Sequence, residues 1–358
     1  MVNINEAKES IRESVKKAEQ ASDYKVESSY VGVTGRHVDS LNNRGVVAIT
    51  RNDRLVRRDD LKRVLQCAQS IKIPSDRKLL HVIPRGYTID GQMGVQNPIG
   101  MHGFRLDVET HVITAAVTSV QNLVKCIRSI GIDIDDLILE PLASSEAVLS
   151  EDEKQVGVIL ADIGGGTTDV AVFKDGSIWH TSILPVAGYQ LTRDISIGLG
   201  LPFDVAEEMK KRYGSVMPIQ ESKVENATTI SADGHGVSYQ DLCDILRARV
   251  DEIIRLILLE MPNAGYETLV PAGLVLTGGS ANLSGIEALG REILQLPVRV
   301  GVPTQMYGIT DTLRDPAYAT SVGLLLWGAK YEGRQTWRSR RFGGGLRRLV
   351  SRMRNLFR

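Results

Sequence analysis

The sequence predicts an α/β protein of more than one domain, and three observations carry that expectation. Short apolar stretches that read as buried strands, such as 157–163 and 273–276, alternate with stretches of helical period. Glycine turns close two of those strands, Gly164-Gly165-Gly166 and Gly278-Gly279. The 358 residues, 42% of them hydrophobic, exceed what a single core usually holds.

Along the chain, residues 5–20 read as a helix, with Ala7, Ile11, Val15 and Ala18 on one face. A short strand follows at 30–33, then a helix at 61–71 with Leu61, Val64, Leu65 and Ala68 together. Residues 71–104 hold Pro74, Pro84, Pro98 and many glycines around a strand at 79–83, and read as part of a small α+β module. A strand at 108–116, a helix at 119–130 stopped by Gly131, and a short buried strand at 137–139 come next. Three strands, 157–163, 169–174 and 177–184, are joined by two tight turns, the second being Asp175-Gly176. Helices are expected at 204–213, 239–261 and 318–330. No short-period repeat is found.

Composition excludes several classes. Collagen, long disorder and a disulfide scaffold do not fit it. No apolar run reaches the roughly 18–20 residues that cross a bilayer. The polar, charged stretch at 1–20 does not read as a secretory signal, and none is expected. Cys67, Cys126 and Cys243 are far apart, with no metal or redox spacing, so a reduced cytosolic compartment is expected. The net charge of zero conceals an asymmetry: residues 331–358 hold nine arginines and one acid, Glu332, on an otherwise acidic body. Such a tail calls for an anionic partner.

The strongest chemical signal is Asp162-Ile163-Gly164-Gly165-Gly166-Thr167-Thr168-Asp169 between two strands. Three glycines admit close approach of a ligand, and successive N–H groups in such a turn form an anion-binding concavity. Thr167 and Thr168 add hydroxyls, and Asp162 at the end of a buried strand can hold a hydrated Mg²⁺ or orient a water. No Gly-Lys-Ser/Thr follows, so this is no Walker loop; a plain glycine hairpin is the bland alternative. A second element, Leu274–Ala281, runs a buried strand into Gly278-Gly279, with Ser280 or Asn282 able to cap a following helix. Backbone approach there suits an adenosine, and an ordinary strand-to-helix turn explains it as well. Glu207 and Lys210 share one helix face and can reach a ribose hydroxyl and an adenine edge, or simply form a solvated pair. Glu140, before Pro141 at a strand end, can position a water, or the Glu-Pro pair merely stops the strand.

The order of these elements resembles the actin-like ATPase superfamily of actin, MreB, DnaK-type chaperones and sugar kinases. Within it, Leu80–Pro84, Tyr87–Gly91, Asn97–Met101, Gly103–Leu106, Asp162–Asp169, Ala206–Gly214 and Asp315–Ala319 with Gly323 resemble the FtsA family of bacterial cell-division proteins. The resemblance runs from about residue 2 to 330. It implies an actin-like (ribonuclease H-like) two-lobe fold. The expected subdomains are 1A at 1–37, 113–155 and 302–330, 1C at 38–112, 2A at 156–200 and 266–301, and 2B at 201–265. Family members open with a strand carrying an Asp-x-Gly-x-Ser/Thr phosphate loop. This sequence resembles them only after it, so subdomain 1A is expected without those strands. The resemblance implies ATP and Mg²⁺ as ligands, with at most weak hydrolysis. Asp162 would serve Mg²⁺ or water, and Glu140 the water. Gly164, Gly165, Gly166, Thr167 and Thr168 would serve the phosphates, and Glu207, Lys210, Gly278, Gly279 and Ser280 the adenosine. It also implies that subdomain 2B receives the C-terminal peptide of the tubulin-like FtsZ, that the chain self-associates, and that it recruits later division proteins. A pilus-assembly type of membrane-linked actin-like adaptor, a truncated family member that binds no nucleotide, and a metabolic kinase of the superfamily are the rivals.

The tail fits that picture. Residues 331–345 read as a flexible, glycine-containing linker. Leu346, Leu349, Val350, Met353, Leu356 and Phe357 then form one helical stripe, with Arg347, Arg348, Arg352 and Arg354 among the intervening residues. A basic amphipathic helix lies in a membrane interface. Nucleic acid does not need the apolar stripe and is not the expected partner, and a core-docked helix would not carry so many arginines. The expected location is the cytoplasmic face of the cell membrane at the septum, as a peripheral protein. Each arginine near an anionic surface contributes roughly 1 kcal/mol, so one tail is a reversible anchor and several on a polymer hold far better.

Overall fold

A computed structural model describes residues 3–217, 229–232, 234–261, 270–304 and 312–331. The expected linker and amphipathic segment beyond residue 331 lie outside the described residues, as do parts of 201–265 and 302–330.

Asn3 starts the first helix. Its side chain accepts from the N–H groups of Asn5 and Glu6, and α1 (Ile4–Ser22) runs until Asp23 turns left-handed. Then come β1 (Ser28–Val33), β2 (Val38–Ala48), α2 (Arg58–Gln69), β3 (Arg77–Ile89), β4 (Gln92–Val95) and β5 (Arg105–Ala116). They are followed by α3 (Val117–Arg128), β6 (Asp133–Leu139), α4 (Glu140–Val148) and α5 (Glu151–Val156). The three-strand meander is β7 (Val158–Ile163), β8 (Thr168–Lys174) and β9 (Ser177–Leu184). Its second turn has Asp175 and Gly176 both at positive φ, the geometry a two-residue hairpin needs. Further on are α6 (Gly188–Leu199), α7 (Phe203–Tyr213), β10 (Thr229–Ala232), β11 (His235–Ser238) and α8 (Tyr239–Leu259). The last elements are β12 (Leu274–Thr277), α9 (Ile286–Leu294), β13 (Val298–Val300) and α10 (Ala319–Tyr331).

The central sheet has the order β13-β12-β7-β8-β9, with β12 parallel to β7 and the meander antiparallel. Its inner strands β12, β7 and β8 are buried along almost their whole length because both faces are covered. Ile159, Ala161, Ile163, Leu274 and Leu276 face a core filled by α6, α7, α8 and α9. Val158, Leu160, Ala171, Phe173 and Val275 face a second core with α4 and α10. A separate parallel pair, β1 with β6, packs against α1 and α3.

Residues 38–116 build a four-stranded antiparallel sheet, β2-β5-β3-β4, with α2 on one face. The sequence hid much of it. Strand β2 carries Asp39, Asn42, Asn43 and Arg44 and shows no apolar alternation, yet it pairs with β5 over its whole length. Strand β3 runs through Pro84, which the register tolerates because irregularities fall at Leu79/His81 and Pro84/Gly86. Polar contacts join this sheet to the body. Ser40 Oγ donates to Thr181 O at 3.0 Å, and His111 bridges Asn42 (2.7 Å) and Thr181 (2.9 Å). His81 Nε2 accepts from Leu139 N–H at 3.1 Å. Burial pushes His81 down to about 4, and burial with the His180 and Arg85 charges pushes His111 down to about 3, so both join the halves as neutral rings.

Helix α10 lies hard against α4. A Cβ on Gly323 would stand 1.9 Å from Ala143 O. Overpacking a contact of this kind typically costs about 1–3 kcal/mol. Gly323→Ala is therefore expected to lower stability by that amount in urea unfolding. Gly165→Ala, where an added Cβ meets nothing within 4 Å, should stay within about 0.5 kcal/mol of wild type.

Candidate functional site

The glycine turn between β7 and β8 closes with Gly164 N–H donating to Thr167 O at 3.0 Å. Among the described residues, an added Cβ on Gly165 or Gly166 meets nothing within 4 Å. Packing therefore does not require glycine at either position, and the turn keeps open space beside its backbone. Gly164 is the hub. Its carbonyl accepts from Gly188 N–H (3.1 Å) and from Ser280 Oγ (3.1 Å), while Tyr189 N–H donates to Gly165 O at 2.7 Å. The turn is thus bonded to the start of α6 on one side and to Ser280 on the other.

Gly278 is glycine of necessity. It sits at φ +84°, and a Cβ would stand 2.4 Å from Asp162 Oδ1. The residues after it form a 3₁₀ turn, Gly279–Asn282, rather than leading straight into a helix. Neither Ser280 nor Asn282 caps α9, whose N-cap is Gly285. Ser280 is spent on Gly164, and Asn282 donates to Asp315 at 2.9 Å.

Glu207 and Lys210 are not a solvated pair. Lys210 Nζ donates to Glu207 (2.7 Å), Thr192 Oγ1 (2.9 Å) and Gly188 O (3.1 Å), and Thr192 donates to Glu207 as well. Burial alone would raise Glu207; the Lys210 and Thr192 hydrogen bonds and the Lys210 charge outweigh it and hold the carboxyl at about 2. Through Gly188 this pair joins the glycine turn.

Three carboxyls gather on the other side. Asp162, at the end of β7, is 6% exposed, and its Oδ2 accepts from Ser144 Oγ of α4 (2.6 Å) and Thr320 Oγ1 of α10 (2.8 Å). Burial raises its pKa against the pull of those hydroxyls. Glu140 is the first residue of α4, with Pro141 following inside the first turn, so the Glu-Pro pair ends a strand and opens a helix. Burial and the Asp169 and Asp162 charges push Glu140 up to about 8. Burial and Asp162 push Asp169 up to about 7, although Thr34 and Thr167 donate to it. Thr167 thus faces this cluster, whereas Thr168 is buried with its hydroxyl on Val186 O at 2.7 Å.

The structure therefore brings Asp162, Glu140, the 164–167 turn, Glu207, Lys210 and 278–280 into one continuous network. Sequence reading missed Thr34, Ser144, Gly188, Thr192 and Thr320. Asp169 stood in the motif without a role. Gly188 had a local signal, a glycine between a strand and a helix; the hydroxyls of Thr34, Ser144 and Thr320 had none, because only tertiary packing brings them to a carboxylate. Among the described residues no three His, Cys, Asp or Glu side chains form a ready-made metal site; the acids with raised pKa values and the open glycine turn beside them fit a phosphate chain that brings its own divalent cation, which would supply the missing positive charge and fill the space. The tail residues, from Leu346 to Phe357, lie outside the described residues.

Solved structures share this fold. The PilM–PilN type IV pilus biogenesis complex aligns with a TM-score of 0.59 at 17% identity, over 89% of this chain and 84% of that one. MreB5 of Spiroplasma citri bound to ADP aligns with a TM-score of 0.50 at 20% identity, over 60% and 66%. The fold is actin-like. The family described as cell division protein FtsA matches residues 159–323, and the SHS2 domain inserted in FtsA matches residues 35–114. Cell division protein FtsA of Pseudomonas aeruginosa is 44% identical over 92% of this chain and 79% of its own length. That of Bacillus subtilis is 36% identical over 94% and 76%. The chain belongs to the FtsA family, and the four-stranded sheet with α2 is its inserted SHS2 domain.

Glu140 and Asp169 hold protons in the folded chain that the unfolded chain releases near the ordinary 4.5 and 3.8. In buffer free of divalent cation and nucleotide, unfolding free energy is thus expected to fall as pH rises from about 6.5 to about 8, because below about 6.5 the buried neutral rings of His81 and His111 contribute in the opposite direction. The slope is at most about 1.4 kcal/mol per pH unit for each proton held. Urea midpoints across this range should show a flatter profile for Glu140→Gln, most clearly above pH ~7. Parallel profiles would contradict the cluster.

Proposed function

We propose that this chain is an actin-like, nucleotide-binding cell-division protein that ties FtsZ filaments to the cytoplasmic face of the cell membrane at the septum. Membership of the FtsA family carries the cell-division reading. The network around Gly164 supports the nucleotide, since an actin-like neighbour, MreB5, was solved with ADP. Asp162 would hold Mg²⁺, and Glu140 would position a water. The backbone of Gly164, Gly165 and Gly166 with Thr167 would hold the phosphates; Thr168 supports the turn from below through Val186. Glu207, Lys210, Gly278, Gly279 and Ser280 would hold the adenosine. The bound cation would neutralise the phosphate charge, and hydrolysis would be weak at most.

The assignment of 1A, 1C, 2A and 2B follows the family, with residues 201–265 as the region that takes FtsZ's C-terminal peptide. The membrane reading rests on the sequence pattern of 346–358. No described helix is long and apolar enough to cross a membrane. One such segment binds reversibly, so self-association would serve membrane hold through many tails. Later division proteins would join the assembled complex.

Co-sedimentation of the full chain with FtsZ and vesicles of anionic phospholipid tests this reading. FtsZ is expected in the vesicle pellet only when the chain is present. A chain ending at residue 345 should lose vesicle binding while still binding FtsZ's C-terminal peptide. Arg347→Glu with Arg348→Glu should weaken vesicle binding by more than tenfold, at roughly 1 kcal/mol for each lost cation and more for the reversed charge. Vesicle binding that survives the truncation, or FtsZ that stays in the supernatant, would contradict it.

A further inference from the structure

Strand β1 ends at Val33, and the next residue carries an unassigned contact. Thr34 Oγ1 donates to Asp169 Oδ1 and stands 3.5 Å from Thr167 Oγ1. Thr167 donates to the other oxygen, Oδ2, at 3.1 Å. Both oxygens of this buried carboxyl are thus held by hydroxyls, one from the β1–β6 pair and one from the glycine turn of the central sheet. Two residues earlier, Gly32 passes Glu140 so closely that a Cβ would stand 2.9 Å from its Cγ. The end of β1 therefore touches two of the three clustered acids.

The same residue stands at the door of the inserted domain, which begins at residue 35. Gly35 turns at φ +129°, and its carbonyl accepts from Val38 N–H at 3.0 Å as β2 begins. The carbonyl of His37 accepts from Ala116 N–H at 3.0 Å, where the chain leaves the insert, and from Arg77 Nη2 at 3.2 Å. Entry and exit of the insert are thus tied together within four residues of the carboxyl cluster.

We propose that Thr34 is a positioning residue of the nucleotide site, holding Asp169 in register and coupling the site to the placement of the inserted SHS2 domain. The inference rests on the nucleotide reading above. A ligand that engages Asp169 does so in the position the Thr34 bond fixes, and the short, cross-tied path from Thr34 to Val38 carries that restraint into the insert. By linkage, a shift of the insert changes ligand affinity by the same factor.

Hydrogen exchange at residues 35–38 and 116, with and without Mg–ATP, together with Mg–ATP affinity, tests this in the full chain. Wild type is expected to change its exchange at these amides when Mg–ATP binds. Thr34→Val keeps the shape and loses the hydroxyl. It should exchange faster there without ligand, lose the response to Mg–ATP, and bind Mg–ATP roughly tenfold more weakly, the factor one well-made hydrogen bond carries. Thr34→Ser should restore all three. Unchanged ligand-free exchange in Thr34→Val, or a response to Mg–ATP equal to that of wild type, would overturn the proposal. A wild-type chain that binds no Mg–ATP would contradict the nucleotide reading instead, and the ligand-free comparison would then decide alone whether Thr34 holds the insert.

Discussion

The burial of Asp162 is the constraint on which the rest of the site depends. An ionised carboxyl at the end of a covered strand is costly unless donors reach it. Here the donors come from elements far apart in sequence, Ser144 of α4 and Thr320 of α10, and their hydroxyls are themselves 3.0 Å apart. To deliver them, α10 must lie against α4 at backbone distance, which is why residue 323 is glycine. The carbonyl of Pro316, just before α10, in turn accepts from Gly278 N–H at 3.1 Å, which ties the end of β12 to the same place. One buried acid thus fixes the relation between the central sheet, α4 and α10.

The glycines divide by what they serve. Gly278 and Gly188 are forced by their surroundings, the first by Asp162 and Ile163, the second by Ser280 and Gly164. Among the described residues, nothing forces glycine at 165 or 166. In a fold that fills its interior this closely, residues that keep space without a protein neighbour speak for a ligand. The turn, the acids and the Glu207–Lys210 pair would then meet the phosphate, the cation and the nucleoside of one molecule.

Much of this was legible in the residues, and the reasons for the rest are physical. The meander was plain because burial makes β7 apolar but for Asp162 and an Asp-Gly pair favours the positive-φ hairpin turn that leads from β8 into β9. The long helix α8 showed its period through Leu242, Leu246, Val250, Ile253 and Ile257, all buried. Strand β2 was hidden because its partners are polar: Asn42 and Asn43 are there to bond His111 and the α2 carbonyl of Ala68. At the site, the motif residues announced themselves, but Thr34, Ser144 and Thr320 did not. A hydroxyl that satisfies a distant carboxylate leaves no local pattern. The role of Thr168 was misread for a related reason. Its neighbour Thr167 faces the acids, and strand alternation sends Thr168 to the opposite face, onto Val186.

The central claim is that this network is a Mg–nucleotide site organised by Asp162, and calorimetric titration of the full chain with ATP tests it most directly. The account predicts saturable binding in the presence of Mg²⁺ that is lost when Mg²⁺ is removed and lost in Asp162→Ala, with Asp162→Ala still folded by circular dichroism. Equal binding by wild type and Asp162→Ala, or no binding by a folded wild-type chain, would contradict it.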